Sequence, residues 1–299
     1  MRFFASTDFD LPLPDGHRFP GQKYSMLRRA LLDDGVVTDQ QLAPSPRATR
    51  DVILSVHASS YVDPLTDGTI DPKIMRRIGF PWSPQIPLRG ELTVGGALAA
   101  AEAALDHGLS GQLAGGTHHA HREFGSGFCI YNDLAAVAVT LLDRGAVDRV
   151  AIIDLDVHQG DGNAALLNER EDVFILDVHG AKNFPFRKVP STLDVPLPDG
   201  CDDRGFLDAL VEHLPAIWAF CPDIVLYQAG VDALASDRLG RLDLSFDGLK
   251  RRDDIILREC RARGIPCSMA IGGGYAHPIE DTVTAYVNTY RVAKEIYRF

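Results

Sequence analysis

The feature that most restricts what this chain can fold into is a rhythm. Short apolar runs alternate with segments of helical periodicity. The runs are MRFFAS, GQLAG, RVAIIDLDV, DVFILDV, DIVLYQAG and PCSMAIGGG, and the segments between them include ELTVGGALAAAEAALDHG, NDLAAVAVTLLDRG, GFLDALVEHLPAIWAF and LKRRDDIILRECRARG. Strands that read as continuous apolar runs are buried on both faces, and strands that alternate with helices make a parallel sheet. The expected class is therefore α/β, a three-layer αβα sandwich around a central, mostly parallel sheet. Asn132 is placed to cap one helix and Gly145 to stop it; Pro278, Glu280 and Asp281 suit the start of the last. The stretch from Phe4 to Pro87, richer in Pro and Asp, reads as loops and helices packed on the same sheet. There is no internal repeat and no long linker, so residues 1–299 are expected to form a single domain.

In open α/β sheets, ligands bind beyond the carboxyl ends of the strands. The polar clusters here fall at those ends. GQLAG leads to His118 and His119, RVAIID to Asp156 and His158, DIVLYQAG to Asp232, and PCSMAIGGG to Tyr275. In AIIDLDVHQGDGNA, Asp154, Asp156 and His158 alternate, so a continuing strand would project all three from one face. Buried carboxylates repel and lose hydration unless they are paired or bind a metal. Two Asp and one His in this pattern favour a metal over a hydrogen-bonded acidic cluster. Asp232, which alone would read as a helix cap, completes a set of two carboxylates and one imidazole. Three protein ligands with an open position describe a catalytic centre. Zinc suits the set, and ferrous iron accepts it too.

Two carboxylate ligands neutralise most of a divalent charge, so a water there is less acidic than beside three neutral imidazoles and needs a separate base. His118 and His119 in GGTHHAHREFGSGFCIYND can serve. Their rings need carboxylate partners, and Asp154 and Asp161 are the spare ones in the metal motif. His121 reads as a surface or supporting residue. The glycine run of AIGGGYAH lacks the Lys and Ser or Thr of a phosphate loop. It reads instead as a close backbone approach that sets Tyr275 beside the metal, where a hydroxyl could stabilise an oxyanion. A packed tyrosine after a turn is the plainer alternative.

Charge and composition exclude several classes. A net charge of −11 and a pI near 5.3 oppose general nucleic-acid binding and mildly favour a neutral or cationic ligand. Five cysteines without a CxxC pair do not suggest a disulfide framework or a thiolate zinc site. No apolar run is long enough to span a bilayer, and the N-terminus carries acidic residues and prolines where a signal peptide would be apolar. The expectation is a cytoplasmic protein with neither membrane nor nucleic-acid partner. Nothing in the sequence specifies an oligomeric state.

The motifs GGTHHAHREFGSGFCIYND, DLDVHQGDGN, QAGVDALASD and GGGY resemble, in order and spacing, those of the zinc-dependent histone deacetylase family, in particular its compact bacterial and class IV branch. The resemblance covers nearly the whole chain. It implies the arginase-like fold, with about eight mostly parallel strands between helical layers. It also implies a zinc-dependent deacetylase acting on an acetyl-lysine side chain or a small acetylated amine. By it, Asp156, His158 and Asp232 would be the zinc ligands, His119 the general base and His118 its electrostatic neighbour or shuttle. Asp161 would pair with His119 and Asp154 with His118, and Asp154 would also touch a structural potassium ion. Tyr275 would bind the acetyl carbonyl, and Gly127, Phe128 and Phe184 would wall a narrow tunnel. The chain departs from the family in two places. Pro81 and Trp82 stand where many relatives have a rim aspartate that grips peptide backbone. Leu239 stands where polyamine-specific relatives have a gatekeeper glutamate. An acetylpolyamine deacetylase, a silent acyl-lysine binding subunit and an arginase-like dimanganese hydrolase are the rivals. The last would want a carboxylate at Gly160.

Overall fold

The structure is a computed structural model that describes residues 1–6, 11, 13–14 and 16–299. Among these, eight strands form one sheet: β1 (Phe3–Ala5), β2 (Leu42–Pro44), β3 (Leu109–Gln112), β4 (Val150–Asp154), β5 (Val173–Gly180), β6 (Leu193–Leu197), β7 (Ile224–Gln228) and β8 (Cys267–Ala270). Their order is β2-β1-β3-β8-β7-β4-β5-β6, with every neighbouring pair parallel. One helical layer contains α1 (Lys23–Asp33), α8 (Asp203–Phe220), α9 (Phe246–Arg263) and α10 (Ile279–Tyr297). The other contains α2 (Arg50–Leu54), α3 (Ser59–Asp67), α4 (Pro72–Ile78), α5 (Gln85–His107) and α6 (Asp133–Asp143), with α7 (Asp161–Leu167) beside α6. This is the arginase/deacetylase-like αβα fold.

The alternation along the central strands explains the layers. Ala151 and Ile153 of β4 and Val225 and Tyr227 of β7 face the α8–α10 side, packed with Phe206, Ile256 and Tyr290. Val150, Ile152, Ile224 and Leu226 face the other side, packed with Val94, Leu134 and Val137. The positions of β4 and β7 before their polar carboxyl-terminal residues, Asp154 and Gln228, are therefore apolar on both faces, which is what the continuous runs indicated. Asn132 caps α6, its Oδ1 accepting from the amide of Ala135 at 2.9 Å, and Gly145 follows the helix in the left-handed region with φ 62°. Pro278 precedes α10, with Glu280 and Asp281 in the first turn.

Three expectations change. β2 and β6 were not legible, because both are sheet edges; β2 has three residues and β6 contains Pro196, features confined to edges and strand ends. The strand at GQLAG starts earlier, at Leu109, and ends at Gln112. Most consequentially, β4 stops at Asp154 instead of running on to His158. Side-chain carboxylates take the amides beyond it. Asp156 N donates to Asp154 Oδ1 (3.2 Å), Val157 N to Asp232 Oδ1 (2.9 Å) and His158 N to Asp156 Oδ1 (3.0 Å). Local bonds of this kind compete with a strand ladder. No described helix is long and apolar enough to cross a membrane.

Candidate active site

The loop after β3 is held by the first turn of α6. The Asp133 carboxylate accepts from Gly116 N, Thr117 N and Thr117 Oγ1, each at 2.8 Å. The next two residues are the histidine pair, whose rings lie 4.0 Å apart between centroids. His118 Nδ1 donates to Asp154 Oδ2 (2.8 Å) and His119 Nδ1 to Asp161 Oδ1 (2.7 Å). An ionised carboxylate only accepts, so Asp161 fixes the proton on Nδ1 and leaves the Nε2 lone pair of His119 available. His121 also belongs here: its Nε2 donates to the other oxygen of Asp161 at 3.0 Å.

Their electrostatics diverge. Burial disfavours charge on both rings. At His118 the Asp154 and Asp156 carboxylates overcome it and raise the pKa to about 10. At His119, burial and the adjacent His118 charge lower it to about 3. Burial opposes the charge on Asp161, but bonds from His119 and His121 hold its carboxyl well below the usual range. The two adjacent imidazoles are thus pushed in opposite directions, His118 toward holding a proton and His119 toward the neutral form.

β4 and β7 deliver the second cluster. Asp156, His158 and Asp232 each offer one ligand atom within 4.8 Å of the others, and all three are buried. His158 Nδ1 lies 3.0 Å from both Asp156 Oδ1 and Asp232 Oδ2. Burial, followed by repulsion from Asp156, pushes the Asp232 carboxyl up to about 6. A divalent cation would relieve that penalty, and the donor set of two oxygens and one nitrogen suits zinc or ferrous iron. The glycines fit the same picture. A Cβ on Gly230 would lie 2.4 Å from Asp156 Oδ2, and one on Gly273 would lie 1.8 Å from Asp232 Oδ2. Only bare backbone can pass so close to these carboxylates, so the residues present fit a bound metal. Asp177, His179 and Asp194 form a second such group across β5 and β6.

Tyr275 follows the glycines. Its amide donates to Asp237 Oδ2 at 2.6 Å, and its ring lies 5.9 Å from that of Phe128. Burial pushes its phenol well above the ordinary value, so it remains a hydroxyl donor. Asp237 Oδ1 also accepts from Leu239 N at 2.8 Å, tying that loop to Tyr275. A cavity of about 1000 Å³ opens onto this centre, lined by His119, Gly127, Phe128, His158, Phe184, Leu239 and Tyr275. Phe184 stands edge-on to His119, with ring centroids 4.8 Å apart. Phe128 packs instead on Phe19 and Phe80; it sits at φ 66°, and its amide donates to Ile78 O at 2.7 Å. Gly127 (φ 53°) cannot carry a side chain: a Cβ would lie 2.7 Å from His119 Cδ2 and 3.1 Å from Phe184 Cε1.

Two readings of the surroundings are corrected. Pro81 and Trp82 do not reach this cavity; they border a separate groove, and Trp82 Nε1 donates to Leu65 O. The rim on this side is the end of α4, Arg76 to Gly79. The acidic net charge also misjudged the entrance, where basic side chains gather. Other site-shaping residues went unread. Lys23, 2% exposed on α1, donates through Nζ to Gly272 O at 3.2 Å. Arg252, 0% exposed on α9, donates to the carbonyls of Leu155, Ala229 and Gly230 beneath Asp156 and Asp232. Tyr286 O–H donates to Ile271 O or Gly273 O. A buried Lys or Arg on an amphipathic helix looks in sequence like one on the solvated face, so nothing local marked them.

The fold and this polar centre are those of a metal-binding hydrolase. Residues 17–290 match the histone deacetylase domain. The chain is 44% identical to an uncharacterised protein of Picosynechococcus sp., over 97% of each chain. It is 31% identical to histone deacetylase 2 of Arabidopsis thaliana, over 87% of this chain and 70% of that one. The crystal structure of a histone deacetylase homologue from Aquifex aeolicus superposes with a TM-score of 0.84 at 25% identity, covering 99% of this chain and 88% of that one. The chain belongs to the histone deacetylase family.

Proposed function

We propose that this protein is a metal-dependent amidohydrolase that removes an acetyl group from an amine, an acetyl-lysine side chain or a small acetylated amine. One observation carries the reading: a two-carboxylate, one-imidazole cluster, a carboxylate-oriented histidine pair and a buried tyrosine converge at the foot of one cavity. Asp156, His158 and Asp232 would hold the cation, Zn²⁺ first and Fe²⁺ as the other candidate. When bound, it supplies Lewis-acid activation of water and of the acyl carbonyl. His119 Nε2, its tautomer fixed by Asp161, accepts the proton of the attacking water. His118, whose proton the Asp154 carboxylate favours, offers a proton for the departing amine. Tyr275 donates its hydroxyl to the developing oxyanion. Gly127, Phe128, Phe184 and Leu239 surround the alkyl stem of the amine.

A neutral acetyl-lysine amide tests this, with acetate and free amine measured together. Equimolar release that stops on chelation and returns with Zn²⁺ is expected. Binding without turnover by the metal-loaded protein would instead establish the silent acyl-lysine binder. The dimanganese reading is disfavoured on sterics as well as sequence, because a Cβ at Gly160 would lie 2.6 Å from Asp154 Oδ2.

Two substitutions probe the walls. Gly273→Ala must displace the Asp232 carboxylate, and a misplacement of this size costs on the order of 10²-fold in kcat/KM. Wild-type kinetics in that variant would show that the close approach does not matter. Phe128→Ala removes contact made in both ground and transition states, so KM for a linear acetyl amine should rise while kcat changes less. A fall in kcat with constant KM would put Phe128 in the chemistry instead.

A further inference from the structure

The entrance to the cavity has the opposite charge from the rest of the molecule. The chain holds 30 Lys and Arg against 41 Asp and Glu. The cavity is lined by seven Lys and Arg and, among the described residues, by a single carboxylate, Asp161. That carboxylate is buried at the foot and bonded to His119 and His121. The basic side chains lie further out: Arg76, Arg77, Lys182, Arg187 and Arg241 are exposed and Lys188 is half-buried, whereas His119, His158 and Tyr275 are buried. A substrate with its acyl group at the foot would therefore carry its amine portion past a ring of cations.

The ring is built on fixed backbone. The carbonyls of Arg77 and Ile78 accept from Gly127 N (3.2 Å) and Phe128 N (2.7 Å), which locks the end of α4 to the cavity wall. The Arg77 guanidinium lies over the Phe124 ring at 3.5 Å. The loop from Lys182 to Val189 is tied at both ends: Asn183 Nδ2 donates to Leu239 O (2.8 Å), and Gln159 exchanges bonds with Val189 N (3.0 Å) and Val189 O (2.8 Å). Within that loop Lys188 Nζ donates to Asn183 O at 2.7 Å. Among the described residues, Arg76 and Arg187 have no acidic partner within salt-bridge distance, while Lys182 and Arg241 share Asp199. Charge held this way at the mouth of a cleft concentrates ligands of the opposite sign, and it selects against ligands of its own sign.

We propose that the substrate is an anionic acyl amine, one whose amine portion carries carboxylate or phosphate groups beyond its alkyl stem, at the level of the cavity rim. The inference rests on the deacylase reading above and narrows it. It disfavours lysine-rich acetylated tails and acetylated polyamines, both of which would bring positive charge to this rim.

The metal-loaded enzyme decides it with four probes: an acetyl-lysine peptide flanked by Glu, the same peptide flanked by Lys, a neutral version flanked by Gly, and N-acetyl-6-aminohexanoate as a small anion. At low salt, kcat/KM for the Glu peptide should exceed that for the Lys peptide by about tenfold or more, and the ratio should shrink as salt screens the rim. The Glu-to-Lys ratio should fall several-fold in Arg187→Glu and in Arg76→Glu, with thermal unfolding measured alongside as a check on folding. A small anion that outpaces the Gly peptide would point to a metabolite-sized substrate, and a preference confined to the Glu peptide to an acidic protein segment; both support the proposal. Turnover of the Gly peptide with a Glu-to-Lys ratio at or below one would overturn this inference and leave the deacylase reading intact. No turnover of any probe would overturn both.

Discussion

Asp232→Asn is expected to yield a folded protein that holds no catalytic divalent ion and hydrolyses acetyl-lysine on the order of 10³-fold more slowly, or not detectably. Asn is the informative replacement. Asp232 Oδ1 accepts from the amide of Val157, and Asp232 Oδ2 lies against His158. An Asn carbonyl can keep the first bond, so the loop after β4 retains a buried hydrogen bond worth about 1 kcal/mol. What Asn cannot supply is the second negative charge of the cluster. Asp232→Ala would leave the Val157 amide unpaired and confound metal loss with destabilisation. Metal analysis and kcat/KM on the same preparation check the prediction. Asp232→Asn retaining one tightly bound ion and wild-type turnover would remove Asp232 from the centre.

His119→Ala is expected to keep the metal yet lose about 10²- to 10⁴-fold in kcat, the range for a positioned general base. His119 does not belong to the Asp156–His158–Asp232 cluster, and its ring is held by Asp161 and flanked by Phe184. Its removal therefore takes away a proton acceptor and leaves the cluster in place. Asp161→Asn should cost less, about 10- to 100-fold, since it leaves His119 in place and disturbs its tautomer and orientation, along with the bond to His121. Tyr275→Phe should resemble His119→Ala in scale, about 10²- to 10³-fold, while preserving the packing on Phe128. Equal kcat values in wild type and His119→Ala would transfer the base role elsewhere, with His118 the nearest candidate.

Much of this was legible in the sequence because the chemistry sits where the rhythm breaks. Runs such as VAII and IVLY are apolar at every position, which marks strands covered on both faces, and the polar letters that follow them mark the edge that carries the candidate site. The family resemblance then implied pairings that spacing alone left open, such as Asp161 with His119; in the structure His119 Nδ1 lies 2.7 Å from Asp161 Oδ1. The edge strands β2 and β6 were illegible because short, partly exposed strands carry no continuous run. The extension of β4 to His158 failed for a different reason: in this stretch the carboxylates themselves bind the amides that a strand would use. Lys23, Arg252 and the basic rim were beyond reach because each depends on which segments the sheet brings together. Arg76 and Arg187 are 111 positions apart in sequence and line one cavity.

In the proposed function, one divalent ion per chain, held by Asp156, His158 and Asp232, makes this protein a deacetylase. Chelated protein titrated with Zn²⁺ under tight-binding conditions, with acetate release from a neutral acetyl-lysine amide followed at each addition, tests it most directly. Activity should start at background, rise in proportion to added zinc and break at one equivalent. Full activity before any zinc is added, or a break at two equivalents, would contradict the single-metal site.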